Sequence, residues 1–114
     1  MVRSAHSGDT ADGREVVVHL DGARPATGVA DLRSAVVQVI RSGVPVILVD
    51  LGRVGRLSST TISALLWAQR RCRSQGGAVI LRGVDRRNAR LLRRSGLSRI
   101  FDTYQRPEDG VRHS

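Results

Sequence analysis

The feature of this chain that most constrains its fold is an alternation of short apolar runs with segments of helical periodicity. Three runs, at residues 15–20, 45–51 and 78–84, have the length and the apolar content of buried β-strands. Each run is followed by a segment whose residue pattern predicts a helix. Such an alternation predicts an α/β fold, in which right-handed crossovers join the strands of a mostly parallel sheet that helices cover.

Three helices are expected between and after these strands. The first has apolar residues at three- and four-residue spacing from position 29, with Thr27 as a candidate N-terminal cap and Gly43 as its end. The second covers about residues 60–74. The third begins at Asp85 and ends at Gly96, a residue type suited to a helix C-terminus. Three apolar residues after it are expected to fold back onto the core: Leu97, Ile100 and Phe101.

The length of 114 residues suits one domain with its own core, and no internal repeat or linker divides the sequence. We expect a flexible segment or a weak edge strand within residues 1–13, the folded domain at 14–105, and a frayed tail at 106–114. The predicted domain has a mostly parallel or mixed sheet of four to five strands and about three to four helices.

The composition excludes several classes of protein. Apolar residues make up 40% of the chain and charged residues 25%, as in soluble globular proteins. No apolar run approaches the roughly 18 residues of a membrane span, and the first residues lack the apolar stretch of a secretion signal. We therefore expect a cytoplasmic protein. The single cysteine, Cys72, excludes an internal disulfide, and its helical position favours a small buried hydrophobe over a reactive thiol.

No set of residues in the sequence matches a catalytic or cofactor site. The three histidines are scattered, and none has a metal-ligand spacing with Cys72. The glycine-rich segments lack the lysine of a phosphate-binding loop, because the chain contains no lysine. We expect a protein without enzymatic activity, cofactor or metal. Asp50 and Asp85 are interpreted as a strand-end acid and a helix cap.

Four consecutive hydroxyl residues, at positions 58–61, stand immediately before the second predicted helix. Ser58 or Ser59 is a favoured N-terminal cap, but capping needs only one hydroxyl. A phosphate at a helix N-terminus meets free backbone amides and the positive end of the helix dipole, so this position also suits a phosphoacceptor. Two interpretations therefore remain. The hydroxyl residues are helix caps in a loop that tolerates many residue types, or one of them is a phosphoacceptor, at Thr60 or Ser59.

The segment VDLGRVGRLSSTTISALL resembles the one usually written VDLSGVxFxDSSGLxALL in STAS-domain anti-sigma-factor antagonists. The segments RRCRSQGGAVILRGV and LLRRSGLSRIF are similar to later elements of that family, and the resemblance covers about residues 15–104. It implies a STAS-like domain and a partner kinase that is itself the anti-sigma factor. In that family the kinase phosphorylates the second serine of DSSGL, and the phosphorylated antagonist releases the kinase.

Aligning the two motifs on Asp50 places the family's phosphoacceptor on Thr60, so the hydroxyl is kept. The family's aspartate becomes Ser58 and its glycine becomes Thr61. The upstream family motif GELD corresponds to GARP, which puts Ala23 and Pro25 where acids usually stand. These carboxylates ordinarily line the rim of the phosphoacceptor site, so their loss predicts slow or absent phosphoryl transfer.

The second predicted helix carries the only tryptophan, Trp67, on the side opposite the stripe expected to pack on the sheet. An exposed tryptophan bordered by arginines has the composition of an interface hot spot. The alternative is that Trp67 lies over a neighbouring helix or the N-terminal segment. The predicted partner-binding set combines this helix face with the hydroxyl cluster: Ser58, Ser59, Thr60, Thr61, Ser63, Trp67, Arg70 and Arg71.

All nineteen basic residues are arginines, and the formal net charge is +9. They concentrate in the second half, where an acidic protein surface or a nucleic acid would be attracted. The third predicted helix lacks the aromatic side chains on which nucleic-acid readers stack bases. A solvated arginine face is therefore favoured over nucleic-acid binding, and it comprises Arg86, Arg87, Arg90, Arg93 and Arg94.

The sequence thus predicts an anti-sigma-factor antagonist that binds a cytoplasmic anti-sigma factor of the serine/threonine protein kinase type and that phosphorylation at Thr60 switches off. An alternative keeps the fold and makes the chain a non-phosphorylated STAS scaffold subunit of a multi-protein complex, in stress signalling or in lipid transport. A basic nucleic-acid-binding domain is the third interpretation. No membrane partner is expected, and a homodimer is compatible with these interpretations.

Overall fold

The computed structural model of the chain describes residues 15–104. The predicted edge strand near the N-terminus and the predicted C-terminal tail lie outside the described residues. Four strands and three helices alternate, with one short 3-10 helix before the last strand. In chain order they are β1 Glu15–Asp21, α1 Pro25–Ser42, β2 Val46–Arg53, α2 Ser59–Arg73, β3 Ala78–Arg82, α3 Arg86–Arg94, the 3-10 helix Leu97–Arg99 and β4 Asp102–Tyr104.

The described strands form one parallel sheet in the order β1-β2-β3-β4. The α/β class and the parallel sheet are confirmed. Strand β4 was not predicted, because three residues carry too little pattern to distinguish a strand from a loop. The register aligns His19, Asp50 and Arg82 in one row across the first three strands.

The core lies between one face of the sheet and helices α1 and α2. Alternate strand residues such as Val18, Ile47 and Leu81 are fully buried there, as the period of two in a strand requires. Helix α1 packs Leu32, Val36 and Val39 onto this face, and α2 packs Leu65, Ala68 and Cys72 onto it. The apolar periodicity that predicted these helices therefore matches most of the face that each one buries, except that Ile40, at the end of the stripe predicted for α1, is exposed.

The N-terminus of α1 differs from its prediction. The helix begins at Pro25, and its flanking residue Arg24 makes no side-chain capping hydrogen bond. Thr27 lies inside the helix, so its predicted role as the cap was wrong. The physical reason is Pro25, whose fixed φ suits the first helical position and whose missing N–H would have no helical partner there. The other end is as predicted, because Gly43 adopts a left-handed conformation with φ 72°.

The chain after α3 folds back only in part as predicted. Gly96 adopts a left-handed conformation after the helix, and Phe101 is buried with 4% exposure. Leu97 packs against the core from a partly buried position. The side chain of Ile100 is exposed, so its predicted burial was wrong. The backbone of Ile100 is nevertheless anchored to α2, because its carbonyl accepts a 2.7 Å hydrogen bond from Nε2 of Gln69.

Candidate functional site

The hydroxyl cluster, residues 58–61, lies where the connection from β2 enters helix α2. Of the two predicted caps, Ser58 is the N-terminal cap, and the helix begins at Ser59. The side chains of Ser58, Ser59 and Thr60 are exposed, and Thr61 is half-buried. The cluster is therefore divided between positions that face solvent and one that is partly covered.

Ser58 and Thr61 are joined by two hydrogen bonds. Oγ of Ser58 accepts from the backbone amide of Thr61 at 3.1 Å and donates to Oγ1 of Thr61 at 3.1 Å. Among residues 15–104, the hydroxyls of Ser59 and Thr60 make no such bond. Two of the four hydroxyls thus stabilise the start of the helix, and the other two are available for contact with another molecule.

The start of α2 is electrostatically positive. Its first turn contains no acidic residue, so the helix itself supplies no negative side chain to balance the positive end of its dipole. Arg53 and Arg56, in the preceding strand end and loop, are both exposed. This setting lowers the electrostatic cost of a negative charge near Ser59 or Thr60.

A cavity of about 160 Å³ lies beside the cluster. Its polar lining is supplied by Asp21, Arg56, Ser58 and Thr61, and the remainder of the lining is mostly apolar. Asp21 was missed by the sequence reasoning, which looked for an acid at positions 23 and 25. The available signal was the Asp–Gly pair that follows the first strand. Oδ1 of Asp21 accepts a 2.9 Å hydrogen bond from the amide of Ala23, which orders this turn.

Gly22 allows the turn after β1 to approach the connection that follows β2. A Cβ atom at this position would lie 2.3 Å from the carbonyl oxygen of Val54. The amide of Gly22 also donates to the Arg53 carbonyl at 3.1 Å. A larger residue would therefore separate Asp21 from the hydroxyl cluster that it lies beside.

A second depression, the Trp67 groove, runs between α1 and α2 and has a volume of about 260 Å³. Its lining comprises Val29, Leu32, Arg33, Thr60, Ser63, Ala64 and Trp67. The groove unites three residues of the predicted partner-binding set, namely Thr60, Ser63 and Trp67. Arg33 was not predicted, and Arg70 and Arg71 are exposed but do not line the groove.

Trp67 is 37% exposed, so one part of its side chain faces solvent while another borders the groove. The two interpretations offered for it from the sequence, an exposed contact and a residue lying beside a neighbouring helix, therefore describe two sides of the same side chain. Val37 and Ile40 on α1 are exposed apolar residues as well, at 47% and 39%.

Asn88 fixes the loop that leads to the hydroxyl cluster, and the sequence reasoning missed it. Its side chain is 1% exposed. Oδ1 accepts from the Leu57 amide at 3.0 Å, and Nδ2 donates to the Gly55 carbonyl at 2.5 Å. Its own amide donates to Oδ1 of Asp85 at 2.8 Å, which confirms Asp85 as the helix cap. The backbone is therefore held on both sides of Arg56.

Asp50 has the structural role predicted for a strand-end acid. Oδ1 accepts from the Gly52 amide at 2.8 Å, and Oδ2 lies 3.0 Å from both Nε and Nη2 of Arg82. Burial raises the pKa of this carboxyl, but the Gly52 amide, the Arg82 guanidinium and the His19 ring together outweigh burial and leave the pKa below its usual value. Asp50 thus stays ionised and joins the first three strands.

Cys72 does not provide a reactive thiol. Cys72 is fully buried, and burial raises the pKa of its thiol, which keeps it protonated and unreactive. Within residues 15–104, no three metal-ligating side chains come together. None of the helices in this part of the chain is both long and apolar enough to span a bilayer.

Comparison with known proteins gives the family. A protein-family model described as "Mlab, STAS domain" matches residues 7–102. No curated protein sequence matches the chain. Among solved structures, TM1081 of Thermotoga maritima, a candidate anti-sigma factor antagonist, superposes with a TM-score of 0.69 at 16% identity, over 92% of this chain and 90% of that chain.

SpoIIAA, an anti-sigma factor antagonist, has the same fold. Its unphosphorylated form superposes with a TM-score of 0.63 at 15% identity, over 90% of each chain. Its phosphorylated form, from Bacillus and described as a cell fate determinant, gives 0.56 at 19% identity, over 89% of this chain and 92% of that chain. The sequence resemblance stated above is confirmed by the family match and by this shared fold, and the chain belongs to the STAS domain family.

Proposed function

We propose that this protein is an anti-sigma-factor antagonist that binds a cytoplasmic anti-sigma factor of the kinase type, and that phosphorylation at Thr60 weakens the complex. The observation that carries the proposal is the position of Thr60. It is an exposed hydroxyl in the first turn of α2, within a STAS-family chain, and it lines the same groove as Trp67.

Two features favour Thr60 over its neighbours as the phosphoacceptor. The hydroxyls of Ser58 and Thr61 bond to one another, whereas that of Thr60 has no such partner among residues 15–104. The alignment of the STAS motif on Asp50 also places the family's phosphorylated serine there. Ser59 is also exposed and is the second candidate, but it does not line the groove.

The groove supplies the contact through which a phosphate would act. Trp67 and Val29 offer apolar surface, and Arg33 adds a positive charge at the same depression. A phosphate on Thr60 adds about −1.5 to −2 charge. If the partner covers this groove, that charge has to be desolvated inside the interface, which weakens the complex. Arg70 and Arg71 extend the contact along the exposed side of α2.

The first test is to purify the tagged full chain from its own cells and to identify the proteins that co-purify with it. The proposal expects a kinase of the anti-sigma type. That kinase is then incubated with the protein and ATP, and the intact mass and phosphosite are determined by mass spectrometry. Thr60→Ala should abolish the addition of one phosphate, and Thr60→Glu should weaken the complex.

Ser98→Ala is the matched control, because Ser98 is an exposed hydroxyl on the 3-10 helix. It should leave both phosphorylation and binding unchanged. Phosphorylation that survives Thr60→Ala but is lost in Ser59→Ala would move the acceptor to Ser59. A stable kinase complex without any increase in mass would refute the switch and leave the antagonist role intact.

A second function is supported by the same cluster. Two of its hydroxyls are occupied in capping, and the acids that line the rim in the antagonist motif are replaced at positions 23, 25 and 58. These features favour a STAS scaffold subunit that is not phosphorylated, and the family match to "Mlab, STAS domain" is compatible with it. Co-purification of the subunits of a stress-signalling or lipid-transport complex, with no kinase, would decide for this function.

A further inference from the structure

Four arginines line one surface cleft, and of these only Arg56 also borders the cavity beside the hydroxyl cluster. Arg56 comes from the loop before α2, and Arg87, Arg90 and Arg94 come from α3. Leu91 and Ser95 complete the lining of this arginine cleft, whose volume is about 480 Å³. No carboxylate belongs to the lining, so the cleft presents a positive charge to solvent.

Among residues 15–104, the four guanidinium groups make no ion pair. The ion pairs from Asp50 to Arg82 and to His19 involve none of them. The Ser95 hydroxyl is already occupied, because it donates to the Leu91 carbonyl at 2.8 Å. Recognition in the cleft therefore depends on the arginines, whose side chains are exposed.

Helix stability does not explain this arrangement of charge. Arg87 lies in the first turn of α3, where no acidic residue is present. The carboxylate of the N-cap residue Asp85 offsets the positive end of the helix dipole near Arg87, and Arg94 in the last turn is favoured by the negative end. Arg87 and Arg90 also lie one turn apart on the helix surface, where like charges repel. Repulsion between neighbouring arginines therefore remains on this face of α3, and a bound anion would offset it.

The fourth arginine is held in place by the fold. Asn88 is buried, and its side chain bonds to the peptide groups on both sides of Arg56, at the Gly55 carbonyl and the Leu57 amide. Because Asn88 belongs to α3, these bonds fix the backbone of Arg56 beside the helix that carries the other three arginines. The backbone positions that carry the four arginines are thus set before any ligand arrives, which lowers part of the entropic cost of binding.

We propose that the arginine cleft binds a small anion that carries several phosphate groups in a row. The forked guanidinium group matches the oxygens of a phosphate and can form two parallel hydrogen bonds with it. The rise of an α-helix places Arg87 and Arg94 about 10 Å apart along the axis, a span that a short oligophosphate can follow. The lining contains no aromatic residue on which nucleic-acid bases could stack, which favours a small anion over a nucleic acid.

The test uses the full chain and inorganic tripolyphosphate, in isothermal titration calorimetry at physiological ionic strength. Saturable binding with one ligand per chain is expected, and NMR amide shifts should map to α3 and to residues 55–57. Each of Arg56→Gln and Arg90→Gln should weaken binding by about tenfold, as expected when one charge-assisted contact is lost. Circular dichroism should show that both variants remain folded.

Arg41→Gln is the matched control, because it removes an exposed arginine from the last turn of α1. It should change the affinity by less than about twofold, within the effect of one distant screened charge. Equal weakening in Arg41→Gln and Arg90→Gln would overturn the proposal, because it would show a general response to net charge. Absence of binding at millimolar tripolyphosphate, or binding of an oligonucleotide that tripolyphosphate cannot displace, would overturn it as well.

Discussion

Oδ1 of Asn88 accepts a 3.0 Å hydrogen bond from the amide of Leu57, across a separation of 31 residues. Both residues are buried, and the bond joins helix α3 to the loop that precedes the hydroxyl cluster. One side chain therefore positions the loop that precedes the proposed phosphoacceptor and also orders the arginine cleft.

Asn88→Ala should destabilise the fold by about 2 to 4 kcal/mol, because it leaves the Leu57 amide and the Gly55 carbonyl without their buried partner. Urea unfolding followed by circular dichroism measures the loss. Gln75→Ala, which truncates an exposed amide side chain after α2, is the control and should stay within about 0.5 kcal/mol of the wild type. An equal effect of the two variants would contradict a structural role for Asn88.

Ser58→Ala should cost about 1 kcal/mol, because it removes the side-chain acceptor for the Thr61 amide at the start of α2. Ser59→Ala, one residue further, removes an exposed hydroxyl that makes no capping bond and should have little effect. Thermal and urea unfolding of the two variants provide the comparison. If Ser59→Ala proved the more damaging, the assignment of the cap would be wrong.

Asp50 should make stability depend on pH in the acidic range. Its pKa is lowered in the folded protein, so its contribution is present above the unfolded pKa of about 3.9 and is lost as the pH falls through the folded value. Asp50→Asn should therefore cost stability at pH 7 and much less at acidic pH. Arg82→Gln should reduce the same pH dependence, because it removes a cation that lowers this pKa. Urea unfolding across the acidic range measures both effects. They would be contradicted if the free energy of unfolding of Asp50→Asn changed with pH as steeply as that of the wild type.

Cys72 should resist alkylation in the native protein. Its side chain has no exposed area, and burial raises the pKa of the thiol, so little thiolate is available to react. A thiol-reactive dye should label the chain slowly under native conditions and rapidly in denaturant, as measured by absorbance. Rapid labelling of the native state that leaves the circular dichroism unchanged would show that the α2 packing around Cys72 is open.

The parts of the fold that the sequence predicts are those set by residue periodicity. The strands that contain Val18 and Ile47 follow from apolar runs of strand length, and the end of α1 at Gly43 follows from the conformational freedom of glycine. These signals are local, because each of them lies within a single segment of the sequence. Thr27 was assigned wrongly because two local signals competed, and Pro25 fixed the helix start further upstream.

The parts of the site that the sequence did not predict depend on contacts between distant segments. The positions of the hydroxyl residues were evident, but the pairing of Ser58 with Thr61 depends on the exact turn geometry. Asn88 contacts its partners across more than thirty residues, and a single asparagine in a basic helix gives no sign of burial. Asp21 lines the cavity beside the hydroxyl cluster because the turn after β1 lies against the connection that follows β2, and this contact is not visible in the sequence.

The location of the single tryptophan gives the molecule a built-in optical probe. Trp67 borders the groove between α1 and α2 and keeps part of its ring in water. A protein that covers the groove should move its emission to shorter wavelength, because the indole would lose contact with water. The arginine cleft contains none of the residues of that groove. Occupancy of the groove can thus be followed in an unlabelled sample, and a small anion confined to the cleft should leave the emission of Trp67 unchanged.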